Sequence, residues 1–147
     1  ICVRLVGSEM CIRDSLYPRS FQENISARLL ETVADGICDS VVLVFLENSR
    51  NKDLRSKNWI KRQGKKIFEG VEYLSNYLKE KQFFVGNSFS IADISCFSCL
   101  EYIDLRFPKF EWKNRYKNLN KYWNIHKIRD SFKKTKPKTQ IIEPIQD

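Results

Sequence analysis

The chain has 147 residues, of which 42% are hydrophobic and 30% charged, with a formal net charge of +8. That length accommodates one domain with a hydrophobic core and does not easily hold two. The longest apolar run, Val41 to Leu46, falls far short of the roughly 20 residues that span a bilayer, so the composition excludes a helical membrane protein and indicates a soluble globular domain.

In chain order, residues 1–15 stand apart. Met10-Cys11-Ile12-Arg13-Asp14-Ser15 resembles the in-frame translation of a transposon-end adapter used in sequencing libraries, and the segment is set aside as non-native. The competing explanation is a secretory signal beginning at Arg4. Ser8-Glu9 interrupt it before the apolar region of about seven residues that such a signal needs. Outside this segment Cys38, Cys96 and Cys99 remain, an odd number without the spacing of a secreted scaffold, which favours a reducing, cytoplasmic compartment.

From Ser20 to Asn48 the apolar residues Ile25, Leu29, Val33, Ile37, Val41, Val44 and Phe45 recur at spacings of three and four, which predicts one long helix. Gly36 costs that helix about 1 kcal/mol of propensity, and a glycine so placed predicts close approach by another helix or a bound group. A polar link at Asn48 to Lys52 separates it from a second stripe, Trp59, Ile60, Gln63, Ile67, Val71, Leu74 and Leu78. The short link predicts antiparallel packing of the two helices.

Phe83-Phe84-Val85-Gly86-Asn87 has no helical period and reads as a loop whose apolar residues pin it to the core. Ser90 then stands at an N-cap position with Asp93 three residues on, a capping box with Asp where Glu is commoner, and Phe89 and Ile94 are spaced as a hydrophobic staple. The following helix, with Ile94, Cys96, Phe97, Cys99, Leu100, Tyr102 and Ile103, has almost no polar face beyond Ser95 and Ser98, so it is expected to be the central core helix. Cys96-x-x-Cys99 lies within it. Redox pairs of that form open a helix after a strand, so these thiols are read as buried small hydrophobes. Ser90 and Asp93 lack a neighbouring base and are read as folding residues, not as a hydrolase pair.

Phe107-Pro108 ends the core helix, and a loop runs through Trp112. Leu119, Tyr122, Trp123 and His126 predict a short helix, Arg129 to Lys136 a last turn or two, and residues 137–147 a loose tail. With no period-two strand, the class is all-α, a bundle of about five helices over residues 16–136. His126 and Asp130 are too few donors for a metal site, so no metal is expected. Between Lys109 and Lys138, eleven Lys or Arg face only Glu111 and Asp130. Without a groove-reading motif that stretch reads as a solvated face, not as a nucleic-acid or membrane contact.

Phe84-Val85-Gly86-Asn87-x-Phe89-Ser90-Ile91-Ala92-Asp93-Ile94 resembles the folding motif that opens the core helix of glutathione S-transferase C-terminal domains. Asp35-Gly36-x-x-Asp39 resembles the segment lining that family's domain cleft, and Arg129-Asp130-Ser131-Phe132 its closing turn, with Asp130 where the family has proline. The resemblance implies a parent enzyme in which glutathione sits on an N-terminal thioredoxin-like domain whose Ser, Tyr or Cys activates the thiol. That half is expected to be missing upstream of Leu16, leaving this chain inactive alone.

It further implies that this domain walls the site of a small hydrophobic electrophile with Val42, Phe45, Tyr102 and Arg106, and that Asp39 and Asp35 lie where the glutathione ammonium is held. A homodimer through the long helices is also implied. Two other readings stay open: a non-catalytic helical scaffold of the translation-factor or synthetase type, and a regulatory relative with little turnover.

Overall fold

The computed structural model describes residues 16–139; the adapter-like residues 1–15 and tail residues 140–147 lie outside them. Among the described residues the chain is all-helical. It comprises α1 (Phe21–Ser49), a 3-10 turn (Lys52–Leu54), α2 (Lys57–Leu78), α3 (Ile91–Arg106), α4 (Trp112–Arg115), α5 (Lys117–His126) and α6 (Asp130–Lys134). None of these helices is long and apolar enough to cross a membrane.

In the second half of the long first helix Ile37, Val41 and Val44 are buried as expected, but in its first half the buried stripe departs from the one its bulky aliphatics suggested. Ile25 and Leu29 are 46% and 48% exposed, whereas Ala27, Leu30, Ala34, Ile37, Val41 and Val44 form the buried face. Small Ala27 and Ala34 let the neighbouring helices come close, and a pattern keyed to large residues passes over them. Burying each larger member contributes about 1.5–3 kcal/mol.

The turn after α1 is organised by Glu47, whose carboxylate accepts the Ser56 amide at 2.7 Å and Arg50 Nη1 at 3.2 Å. Ser56 caps α2 by accepting the Trp59 amide at 3.3 Å. Glu47 thus meets Ser56 while Ile37 meets Gly70, a reversed order of contacts that makes α1 and α2 antiparallel, as expected.

Close helix approach falls at Gly70, where an added Cβ would come 2.5 Å from Ile37 Cγ1. At Gly36, the position the sequence pointed to, an added Cβ would meet no described residue within 4 Å beyond its own turn of helix. In α2 the buried stripe is Gln63, Ile67, Val71, Leu74, Ser75 and Leu78, while Trp59 remains partly exposed.

The loop before α3 is pinned as expected, with Phe84 and Val85 buried and Gly86 in the left-handed region at φ 60°. Asp93, fully buried, accepts the Ser90 amide at 2.9 Å and Ser90 Oγ at 3.1 Å. Its other oxygen accepts the Phe84 amide at 3.0 Å and the Tyr122 hydroxyl at 3.0 Å. The same carboxylate therefore caps α3, holds the preceding loop and fastens α5.

The loop expected through Trp112 contains a one-turn helix, because the Trp112 ring is buried and its Nε1 donates to Asp104 at 2.7 Å. Lys113 pairs with the same carboxylate and lies 3.9 Å from the Trp123 ring centre. His126 is buried against Phe83, Phe89 and Tyr122. Its Nε2 contacts the Gln82 carbonyl at 3.1 Å, so it is a packing residue.

Candidate functional site

Along one ridge, α1 and α3 run side by side in the same direction. Cys38 of α1 faces Cys99 of α3 closely enough for each thiol to shift the other's ionisation. Seven residues further on in each helix, the Arg106 guanidinium of α3 sits 4.1 Å from the ring centre of Phe45 of α1. Seven residues are close to two helical turns, so the two contacts share one register.

At the second contact the structure brings three of the expected substrate residues together. Arg106 Nε donates to the Tyr102 hydroxyl at 3.3 Å, and the guanidinium also lies 5.4 Å from the Tyr102 ring centre. Tyr102 and Arg106 are one turn apart on α3, and Val42 is one turn before Phe45 on α1. All four side chains are half-buried. Stacking on two aromatic faces holds a guanidinium in place while leaving its outer N–H groups free to meet an anion. Among the described residues, no carboxylate pairs with Arg106.

Asp35 and Asp39 lie further up α1, one turn apart and both exposed. They flank Cys38 and do not reach Arg106. Neither makes an ion pair among the described residues, so two adjacent carboxylates are available to an outside cation. On its other side Tyr102 borders a hollow of about 130 Å³ shared with Phe97, Glu101, Phe132 and Pro137. A wider hollow of about 440 Å³ lies around Lys81, Phe83 and Asn87 at the loop before α3, away from this ridge.

The residue that sequence reasoning passed over is Cys38. Attention went to Cys96-x-x-Cys99 within one helix, and both of those thiols are indeed buried. The partner of Cys99 lies on another helix, and that pairing depends on the register of α1 against α3, which local spacing does not encode. The Cys38 thiol is drawn below its ordinary pKa, chiefly by the hydrogen bond from Cys99 and against burial and the charges of Asp35 and Asp39. Cys99 is pushed well up by that hydrogen bond and by burial, and Cys96 by burial above all. Among the described residues no cluster of His, Cys, Asp or Glu could hold a metal ion.

Comparison with known proteins places this geometry in context. Residues 57–122 match the family model for the glutathione S-transferase C-terminal domain. A crystal structure of a glutathione S-transferase from Methylobacterium radiotolerans in complex with glutathione sulfonate is 33% identical, with a TM-score of 0.89 over 97% of this chain and 68% of that one.

A glutathione S-transferase from Methylobacillus flagellatus with glutathione bound is 32% identical at TM-score 0.79, covering 83% of this chain and 60% of that one. The uncharacterized GST-like protein YibF of Escherichia coli K12 is 26% identical over 128 residues, 87% of this chain. The chain spans 63% of the length of YibF.

Proposed function

Because the chain belongs to the glutathione S-transferase family and matches its C-terminal helical domain, we propose that it forms the substrate-side wall of a glutathione-dependent transferase. The enzyme conjugates glutathione to a small, largely apolar electrophile. The reacting nucleophile is the glutathione thiolate, which attacks the electrophilic atom and displaces its leaving group or adds to it. Its activating Ser, Tyr or Cys belongs to a thioredoxin-like half beyond these residues. The relatives crystallised with glutathione or its sulfonate support glutathione as the co-substrate.

In this reading the chain's own residues bind and orient. Asp39, helped by Asp35, takes the γ-glutamyl ammonium in a charge-assisted contact. Val42, Phe45 and Tyr102 supply the apolar wall. Arg106 is the observation that carries the reading furthest: a guanidinium stacked on Phe45, tethered by Tyr102 and paired with no carboxylate among the described residues is preset to steer an anionic group on the electrophile. The protein works in the cytoplasm as a homodimer through α1 and α2, where Phe21, Ile25, Leu29, Leu46 and Trp59 leave apolar surface exposed.

Calorimetric titration of glutathione into the full-length protein, alongside this chain alone, tests the reading. Binding by the full-length protein and none by the chain is expected. Asp39→Asn in the full-length protein should weaken glutathione about 5- to 10-fold, near 1–1.4 kcal/mol. Failure of the full-length protein to bind glutathione removes the transferase reading and leaves the helical scaffold in its place. Sedimentation of the full-length protein as a monomer would remove the homodimer.

A further inference from the structure

The thiol pair at the α1–α3 contact has no part in the transferase reading. Cys38 is half-buried and can be reached from solvent; Cys99 is sealed from it. The two thiols stand close enough across the helix interface to perturb each other's ionisation. Independently, Gly86 before α3 lies against Glu23 near the start of α1, and Arg106 near the end of α3 lies against Phe45; these two contacts set the helices parallel in a register that places residue 38 opposite residue 99. An accessible sulfur touching a buried one is the arrangement of an attacking and a resolving cysteine.

We propose that Cys38 and Cys99 form a reversible redox pair, in which Cys38 reacts with a small disulfide such as glutathione disulfide and Cys99 resolves the adduct into a Cys38–Cys99 bond that staples α1 to α3. The Cys38 thiolate attacks one sulfur of glutathione disulfide, forming a mixed disulfide and expelling one glutathione thiolate. Cys99 then gives up its proton and attacks the Cys38 sulfur, expelling the second. Two electrons pass from the protein thiols to glutathione disulfide, and the two protons end on the two glutathione molecules released. Excess reduced glutathione drives both steps backwards.

Two features favour this order. Exposure admits the oxidant only at Cys38, and the hydrogen bond from Cys99 makes Cys38 the more readily ionised of the two. Cys96, also buried on α3, is not the partner: three residues before Cys99, it stands about 4.5 Å back along the helix and about 60° round it, out of line with residue 38 in the register that sets Phe45 against Arg106.

The test incubates the folded chain with excess glutathione disulfide, blocks remaining thiols with N-ethylmaleimide, and maps tryptic peptides without reduction. Among Cys38, Cys96 and Cys99 the loss of two thiols is expected, with peptide 29–50 linked to peptide 82–106 and fragmentation placing the bond at Cys99. Cys96→Ser should leave the link intact. Cys99→Ser, or Cys99→Ala should the serine variant not fold by circular dichroism, should stop the reaction at a single glutathionyl group on Cys38. A wild-type chain in which the mixed disulfide on Cys38 persists, in which the bond goes to Cys96, or in which Cys38 stays unmodified under the same oxidant overturns the proposal.

Discussion

Replacing Asp93 is the most demanding test of how this domain is held together. Its carboxylate accepts from the backbone amides of Phe84 and Ser90 and from the hydroxyls of Ser90 and Tyr122, at a fully buried site. In Asp93→Ala both amides lose their acceptor inside the core, at about 1–3 kcal/mol each. The hydroxyls suffer less: Ser90 Oγ can turn, and the Tyr122 hydroxyl retains the Asp93 backbone carbonyl at 3.4 Å. The expected loss is about 3–5 kcal/mol, a large share of the roughly 5–15 kcal/mol that stabilises a domain. Asp93→Asn keeps one acceptor oxygen and should lose about 1–3 kcal/mol. Urea unfolding followed by circular dichroism reads this as a fall in midpoint of about 2 M for the alanine variant, if the slope is near 2 kcal/mol/M. A midpoint within about 0.3 M of the parent at unchanged slope would refute the account of Asp93 as the hub of loop, helix and α5.

Gly70→Ala should destabilise by about 1–3 kcal/mol through its clash with Ile37, and Ile37→Val should relieve part of that loss in a double-mutant cycle of the same unfolding curves. Gly36→Ala should have the opposite sign, stabilising by up to about 1 kcal/mol, because the new methyl meets no described residue within 4 Å beyond its own turn of helix. Glu47 is held below the ordinary carboxyl pKa, first by the Ser56 amide and then by Arg50, with burial working against them. Its contribution is therefore present above the unfolded carboxyl pKa and fades as the pH falls through the lower folded value. The stability gap between parent and Glu47→Gln should accordingly narrow on acidification from pH 7 to pH 3 in urea midpoints. Arg106→Ala in the full-length enzyme should raise KM for an electrophile bearing a carboxylate about 10-fold or more, and leave a neutral one within about 2-fold, in steady-state conjugation assays.

Which parts of this were legible in the sequence follows from the range of the forces involved. The start of α3 was readable because Ser90, Asp93 and the glycine turn act within a few residues of one another. Helix spans were readable because the link from α1 to α2 is polar, Gly86-Asn87 marks a turn before α3, and Pro108 stops α3. The phase of the first half of α1 was not, since Ala27 and Ala34 are buried by what packs on them and not by their own size. Gly70 looked like an ordinary helical residue until Ile37 of α1 was placed beside it. The grouping of Phe45 with Tyr102 and Arg106 came from a family resemblance, and the Cys38–Cys99 contact was invisible because it depends on how one helix is shifted along another.

That shift is where folding and function meet. A helix advances about 1.5 Å and turns about 100° per residue, so the facing of every α3 side chain is set once its first turn is fixed. Asp93 fixes that turn with bonds to the loop before it and to α5, and Arg106 lies thirteen residues, about 20 Å, further along the same helix. A one-residue slip in the start of α3 would swing Arg106 off the ring of Phe45 and Cys99 off Cys38 together. The hydrogen bonds of one buried carboxylate thus determine, through a rigid helix, which groups of α3 are presented to α1, although neither Ser90 nor Asp93 touches anything that reacts.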